Sequence, residues 1–225
     1  SREDSAGNTA VLADQMSWVN NVVLPYDIAL ATFKSSKTSN PKDLFPNSIQ
    51  LEGTSHDMSD DAAVLVRKVF LPAEKLLESK PHLGFDFLIP DDDKNVRQAP
   101  LVMNFDGYYY PSLPLAAAAS YLGVSTDQIK ITEGEVITLG TQRSIPINSR
   151  SELLVCYNKG IPFTTYSAAD LLGDKFDYSV LKNKIVVIGV EDPESTEQFN
   201  TPVAGVLPEY LIKANAIENI VNGNL

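Results

Sequence analysis

An α/β fold, with a mixed β-sheet flanked by helices, is predicted by three features of the 225-residue chain. The run Lys184-Ile185-Val186-Val187-Ile188-Gly189 is apolar after its lysine and rich in β-branched residues, as expected of a strand covered on both faces. Asp106-Gly107 separates two apolar segments, 101–105 and 108–110; a two-residue reversal of this kind needs positive φ and marks an antiparallel hairpin. The alanine-rich stretch 113–122 follows Pro111-Ser112-Leu113-Pro114 and stops before Gly123. Prolines in the first turn and glycine after the last are the marks of a helix.

The remaining elements follow in chain order. Residues 6–18 place Ala10, Val11, Ala13 and Met16 at near-helical spacing. Asn21-Val22-Val23-Leu24 reads as a short buried strand closed by Pro25, and the polar stretches 35–43 and 52–61, the second containing His56, read as loops. Pro72 is expected to open a helix running through Leu77. Residues 85–89 alternate with an acid and end at Pro90, which suits a strand. Further strands are expected at 129–131, 136–139 and 153–157, and a short helix at 168–172 before Gly173. Cys156, alone in the chain and set in Leu153-Leu154-Val155-Cys156-Tyr157, is expected to be buried as a small hydrophobe. A last helix, about 208–221, carries Leu211, Ala214, Ile217 and Val221 on one face, with Glu209 and Lys213 able to pair at i,i+4 on the polar side.

Composition narrows function. Eighteen basic against 29 acidic residues give a formal net charge of -11, which repels phosphate backbones and argues against a nucleic-acid partner. With 44% hydrophobic residues the chain can bury a sizeable core. No stretch reaches the ~20 apolar residues of a spanning helix. One cysteine allows neither an internal disulfide nor a structural zinc site.

No catalytic constellation is found. Two histidines, His56 and His82, both fall in polar or turn-like sequence, and no G-x-S-x-G elbow supplies a nucleophile. Neither a G-x-G-x-x-G nor a G-x-x-x-x-G-K-[ST] loop occurs, so no cofactor is expected. Asp91-Asp92-Asp93-Lys94-Asn95 begins like a calcium loop, but Val96 stands where Gly is needed and Val102 where a bidentate Glu is needed. A solvated acidic turn offset by Arg97 is expected instead, with no metal.

From Leu83 onward the chain carries an ordered series: Leu83-Gly84-Phe85, then Val96-Arg97-Gln98-Ala99-Pro100-Leu101, then Tyr110-Pro111-Ser112-Leu113. It continues with Leu154-Val155-Cys156-Tyr157-Asn158, Tyr166-Ser167-Ala168-Ala169-Asp170-Leu171-Leu172, Leu181 to Gly189, Thr201-Pro202, and Ala214-Asn215-Ala216-Ile217-Glu218-Asn219. This order resembles the second CHASE family, extracellular sensory domains associated with cyclases and histidine kinases, over about 70–223 and weakly over 1–34. The resemblance implies a single extracytoplasmic (periplasmic or cell-surface) domain, 1–225, held by transmembrane helices and coupled to a cytoplasmic cyclase, diguanylate cyclase or kinase. The family's opening strand is not found, so the chain is expected to start inside the domain. Glu209 stands where Gly is common and Lys213 where His is common, so no role of that histidine carries over.

The chain is therefore expected to be non-catalytic, to take an unidentified small-molecule or peptide ligand, and to be able to form a homodimer. Ligands favour the crevice beyond the carboxyl ends of sheet strands, which singles out loop 190–207 with Glu191, Asp192 and Thr201. Leu211, Ala214, Ile217 and Val221 are expected to dock the last helix on the sheet beside 185–188 as the signal-output element. A secreted hydrolase or a free solute-binding protein are the competing readings; the first lacks a nucleophile–base pair and the second lacks two lobes and a hinge.

Overall fold

The computed structural model describes residues 6–30, 42, 44–51, 59, 62–158, 163–192 and 196–225. Apart from Lys42 and Ser59, the expected loops 35–43 and 52–61, with His56, lie outside these residues. The architecture is α/β, with two mixed sheets and helices against them.

The larger sheet is built from β1 (Val23–Leu30), β3 (Val64–Phe70), β4 (His82–Phe85), β6 (Val102–Phe105) and β7 (Tyr108–Pro111), in the order β4-β1-β3-β6-β7. β1 runs parallel to β4 and antiparallel to β3; β3 runs parallel to β6. The second sheet has the order β10-β9-β8-β2, from β2 (Gln50–Leu51), β8 (Ile129–Thr132), β9 (Val136–Leu139) and β10 (Arg143–Pro146). Two small ladders complete the strands: β5 (Gln98–Pro100) with β11 (Glu152–Leu154), and β12 (Gln198–Thr201) with β13 (Gly205–Pro208). The helices are α1 (Ala6–Ser17), α2 (Glu74–Leu77), α3 (Leu113–Leu122), α4 (Ala168–Leu171) and α5 (Glu209–Asn222).

The hairpin joins β6 to β7 as the sequence predicts. Asp106 and Gly107 take φ of 54° and 82°, the double positive that a two-residue reversed turn demands. α3 follows at once, with the Ser112 hydroxyl accepting from the Leu115 amide and Gly123 left-handed at its end. Its start lies so close to β4 that a Cβ on Gly84 would fall 2.5 Å from the Leu113 Cα. Only glycine fits there. The small residues of α3 let α5 pack directly on it, and between α3, α5 and the second sheet sits the main core, with Leu115, Ala118, Ile129, Ile137, Leu139, Ile212 and Ile220 all buried. A separate core fills the larger sheet, around Tyr26, Leu83, Phe85, Met103, Phe105 and Tyr110.

Several expectations shift by a few residues. Pro25 does not close a strand; it lies inside β1, opposite Gly84. The carbonyls of Val22 and Tyr26 accept from β4, so Pro25, of opposite parity, turns its missing donor toward β3, whose pairing begins only at Asp27. The strand expected at 85–89 lies upstream, at 82–85, which makes His82 a half-buried strand residue rather than a loop residue. The strand expected at 153–157 is shorter, and Cys156 is exposed, because the alternation after β11 turns Val155 inward and Cys156 out. Loop 190–207 contains the β12–β13 hairpin.

The clearest correction concerns 184–189. It belongs to no strand, and Val186, Val187 and Ile188 are 51%, 37% and 93% exposed. A β-branched apolar run reports that a segment suits a covered strand; it does not report which chain supplies the cover. Within this chain, among the described residues, none does. α5 docks chiefly on α3, and the run meets it where Gly189 lies against Tyr210.

Candidate functional site: a charge cluster at the start of the last helix

β1 and β4 run side by side, with Tyr26 opposite Phe85, so their carboxyl ends bring Asp27 and Asp86 to one edge. α5 begins over this edge. Its start is fixed by the preceding hairpin: the Glu209 amide donates to the Glu197 carbonyl at 3.0 Å. One turn on, Lys213 is only 5% exposed, although lysine is among the residues least often buried.

Lys213 is buried because it is paired. Its Nζ contacts the Asp86 carboxylate and lies 2.9 Å from Glu209 Oε1, the i,i+4 pair that the sequence offers. Asp27 and Glu197 add negative charge that acts on Glu209, and Asp27 acts on Lys213 as well. Two carboxylates thus contact the ammonium and a third, Asp27, acts on it from further off. Burial pushes the Glu209 carboxyl up to about 7, with Glu197 and Asp27 adding to the rise. Burial pulls Lys213 down to about 7, the Asp27 charge opposing the fall. Both groups sit near neutrality, where an environment normally leaves neither a glutamate nor a lysine. Tyr26, which precedes Asp27 in β1, is buried with no hydrogen-bond partner for its hydroxyl among the described residues, and burial, then Tyr110, raises its pKa.

The far end of α5 is clamped too. The Arg143 guanidinium donates from Nε at 2.9 Å and from Nη2 at 2.6 Å to the Val221 carbonyl, an open acceptor of the last turn. The Asn219 side chain acts like a neighbouring strand: its Oδ1 accepts from the Cys156 amide at 2.9 Å and its Nδ2 donates to the Cys156 carbonyl at 3.1 Å. α5 is therefore buried nearly all round, from Leu211 to Ile217 without a break. Leu211, Ala214 and Ile217 are buried as expected and Val221 is half-buried, but they are part of a fully enclosed helix and not of a one-sided stripe.

The three expected ligand residues do not form one site. Glu191 is exposed beside Tyr210, whose phenol it pushes up after burial. Asp192 is exposed, and its carbonyl accepts from the Thr196 amide. Thr201 is buried, with its hydroxyl engaged in the β12–β13 turn, donating to the Gly205 carbonyl and accepting from the Ala204 amide. Its polar atom has a structural duty. A cavity between His82 and α3 encloses about 10 Å³, room for one water and far short of a small-molecule site.

In the acidic turn, Arg97 offsets the local charge as expected. Arg97 reaches Asp91 and Asp93 at 2.7 Å each and holds the Asp93 carboxyl well below the usual carboxylate range. Among the described residues no group of three His, Cys, Asp or Glu side chains is arranged to hold a metal. Among the described residues no helix is long and apolar enough to cross a membrane.

Lys213, Asp86 and Asp27 were within reach of sequence reasoning only in part. The Glu209–Lys213 spacing is legible; the meeting with Asp86 depends on the parallel β1–β4 register, which no local signal announces.

Comparison with known proteins returns one family. A family model described as CHASE2 domain matches residues 1–224, which extends the likeness over essentially the whole chain. No curated protein and no solved structure matches.

Proposed function

Because the chain belongs to the CHASE2 domain family, sensory extracellular domains of signalling receptors, we propose that it is the non-catalytic signal-input domain of a membrane-anchored bacterial receptor. In this reading the output is an adenylate cyclase, a diguanylate cyclase or a histidine or serine/threonine kinase on the cytoplasmic side. The input is a small-molecule or peptide ligand, and α5 is the element whose position is read. The observation that supports it is the clamping of α5 at both ends, by Lys213 with Asp86 and Glu209, and by Arg143 with Asn219. A helix so held has few ways to move, and a change of charge at its first turn acts on it directly. A ligand shifts such an element only by the difference of its affinity for two arrangements.

The test uses the full receptor. Ile217→Ala is expected to change basal output more than ligand affinity, because Ile217 is a buried apolar residue of α5 whose packing helps hold the helix in place. Unchanged basal output in a folded Ile217→Ala receptor sinks the reading. The non-catalytic part is tested separately: esterase, phosphatase, peptidase and glycosidase substrates should turn over at background rates, and activity lost on one substitution would overturn it.

A further inference from the structure

We propose that residues 184–192 form a strand that pairs antiparallel with the same segment of a second copy of this chain. The exposed run alternates. Val186, Ile188 and Val190 are 51%, 93% and 64% exposed, against 37% for Val187 and half-burial for Ile185, while Gly189, itself exposed, lies so near Tyr210 that a Cβ would collide. The more open positions recur every second residue, the period of a strand, with Val186, Ile188 and Val190 on the more open face.

The backbone is open as well. Among the described residues, nothing hydrogen-bonds to the amides or carbonyls of Ile185 through Gly189. An unpaired apolar edge of this kind is a template for pairing.

Charge selects the occupant. Lys182 and Lys184 precede the run, and Glu191 and Asp192 follow it. Two copies laid antiparallel place the basic end of each strand at the acidic end of the other; a parallel pair would set like against like. Twofold symmetry also restricts the register, because opposed residues share a face and the axis must pass through a residue opposite itself; charge pairing then places that residue at Ile188. Centred on Ile188, Val186 meets the partner copy's Val190, Ile188 meets Ile188, and Lys184 meets Asp192. The row left open in one chain is then continued by the same row of the other. A two-stranded ribbon alone is marginal. The inference does not depend on the sensory reading.

The chain as it stands can be tested by light scattering and sedimentation. The wild type is expected to dimerise with concentration, and Ile188→Lys to raise the dissociation constant by at least about tenfold. Ile188 is solvent-exposed in the single chain, so the substitution should leave circular dichroism and melting of the dissociated protein unchanged. Lys184→Glu should weaken the dimer, and Lys184→Glu with Asp192→Lys should restore it. In a Cys156→Ser background, Ile188→Cys should cross-link on oxidation, since opposed Cα atoms lie within disulfide reach, and Val190→Cys should not. A protein that stays monomeric, a dimer indifferent to Ile188→Lys, or amides of 185–189 protected from exchange in the monomer would each overturn the proposal.

Discussion

Lys213 is the residue on which most of the local energetics turn. Removing one member of a buried ion group leaves its partners charged and unsolvated, a loss of ~3–5 kcal/mol in comparable cases. Lys213→Met is therefore expected to lower unfolding free energy by about that amount, measured by urea denaturation, and Glu209→Gln with Asp86→Asn in the same chain should recover much of it. The pH dependence has a defined sign. Glu209 is raised in the folded chain, so folding takes up protons and stability falls as pH rises from about 4.5 to about 7. Lys213 is lowered, so its cost is fully present below about 7 and is relieved as pH rises toward 10.5. Together the two groups, with Asp27, Asp86 and Glu197 facing them, give a shallow minimum near neutrality. Melting temperatures across pH should show the alkaline rise in the wild type and lose it in Lys213→Met. At Asp91 and Asp93, where Arg97 already fills the carboxylates, calorimetry with calcium should find nothing tighter than millimolar. Arg97 was legible in the sequence as a neighbour four residues from Asp93, as was Glu209 beside Lys213; Asp86 and Asp27 were not, because they come from other segments.

At the scale of elements, turn and cap chemistry carried the reading well. Asp106-Gly107, Ser112, Gly123 and the alanines of α3 are local signals, and each did locally what its chemistry requires. Pattern signals carried less. The leucine and isoleucine spacing of α5 predicts one buried face, yet the helix is enclosed on nearly every side, because Lys213 and Asn219 find partners inside and the Asn215 amide nitrogen donates to the Leu211 carbonyl. The run 184–189 shows the converse: its apolar character was legible and its place was not. Two truncations separate the cases. Ile212→Ala, in the main core and fully buried, should cost ~2–5 kcal/mol. Ile188→Ala, expected from sequence alone to cost as much, should change the stability of the single chain by no more than ~0.5 kcal/mol. Denaturation of both variants under dissociating conditions decides it.

Over the whole molecule, the mixed-sheet α/β class was legible because hairpins and helices follow one another along the chain. The division into two sheets and two cores was not, since it arises from pairings such as β1 with β4 and β2 with β8 that join distant segments. Stability should be uneven across this arrangement. Residues 163–183 are mostly exposed and held by local contacts such as the Tyr166–Phe176–Tyr178 rings, whereas β6, β7 and α3 are buried. Hydrogen exchange should release 163–183 well before the β6–β7 ladder and α3; equal protection would contradict it. The clamps on α5 differ in kind as well as position. At its carboxyl end the helix is tied by a guanidinium fork on the Val221 carbonyl and by the Asn219 amide on Cys156; at its amino end it is tied by buried charge. A tensile load applied at Gly223 would meet the hydrogen-bonded tie first and the ionic one last. Under force, then, the last turn is a fuse that yields while the anchor beneath the first turn still holds.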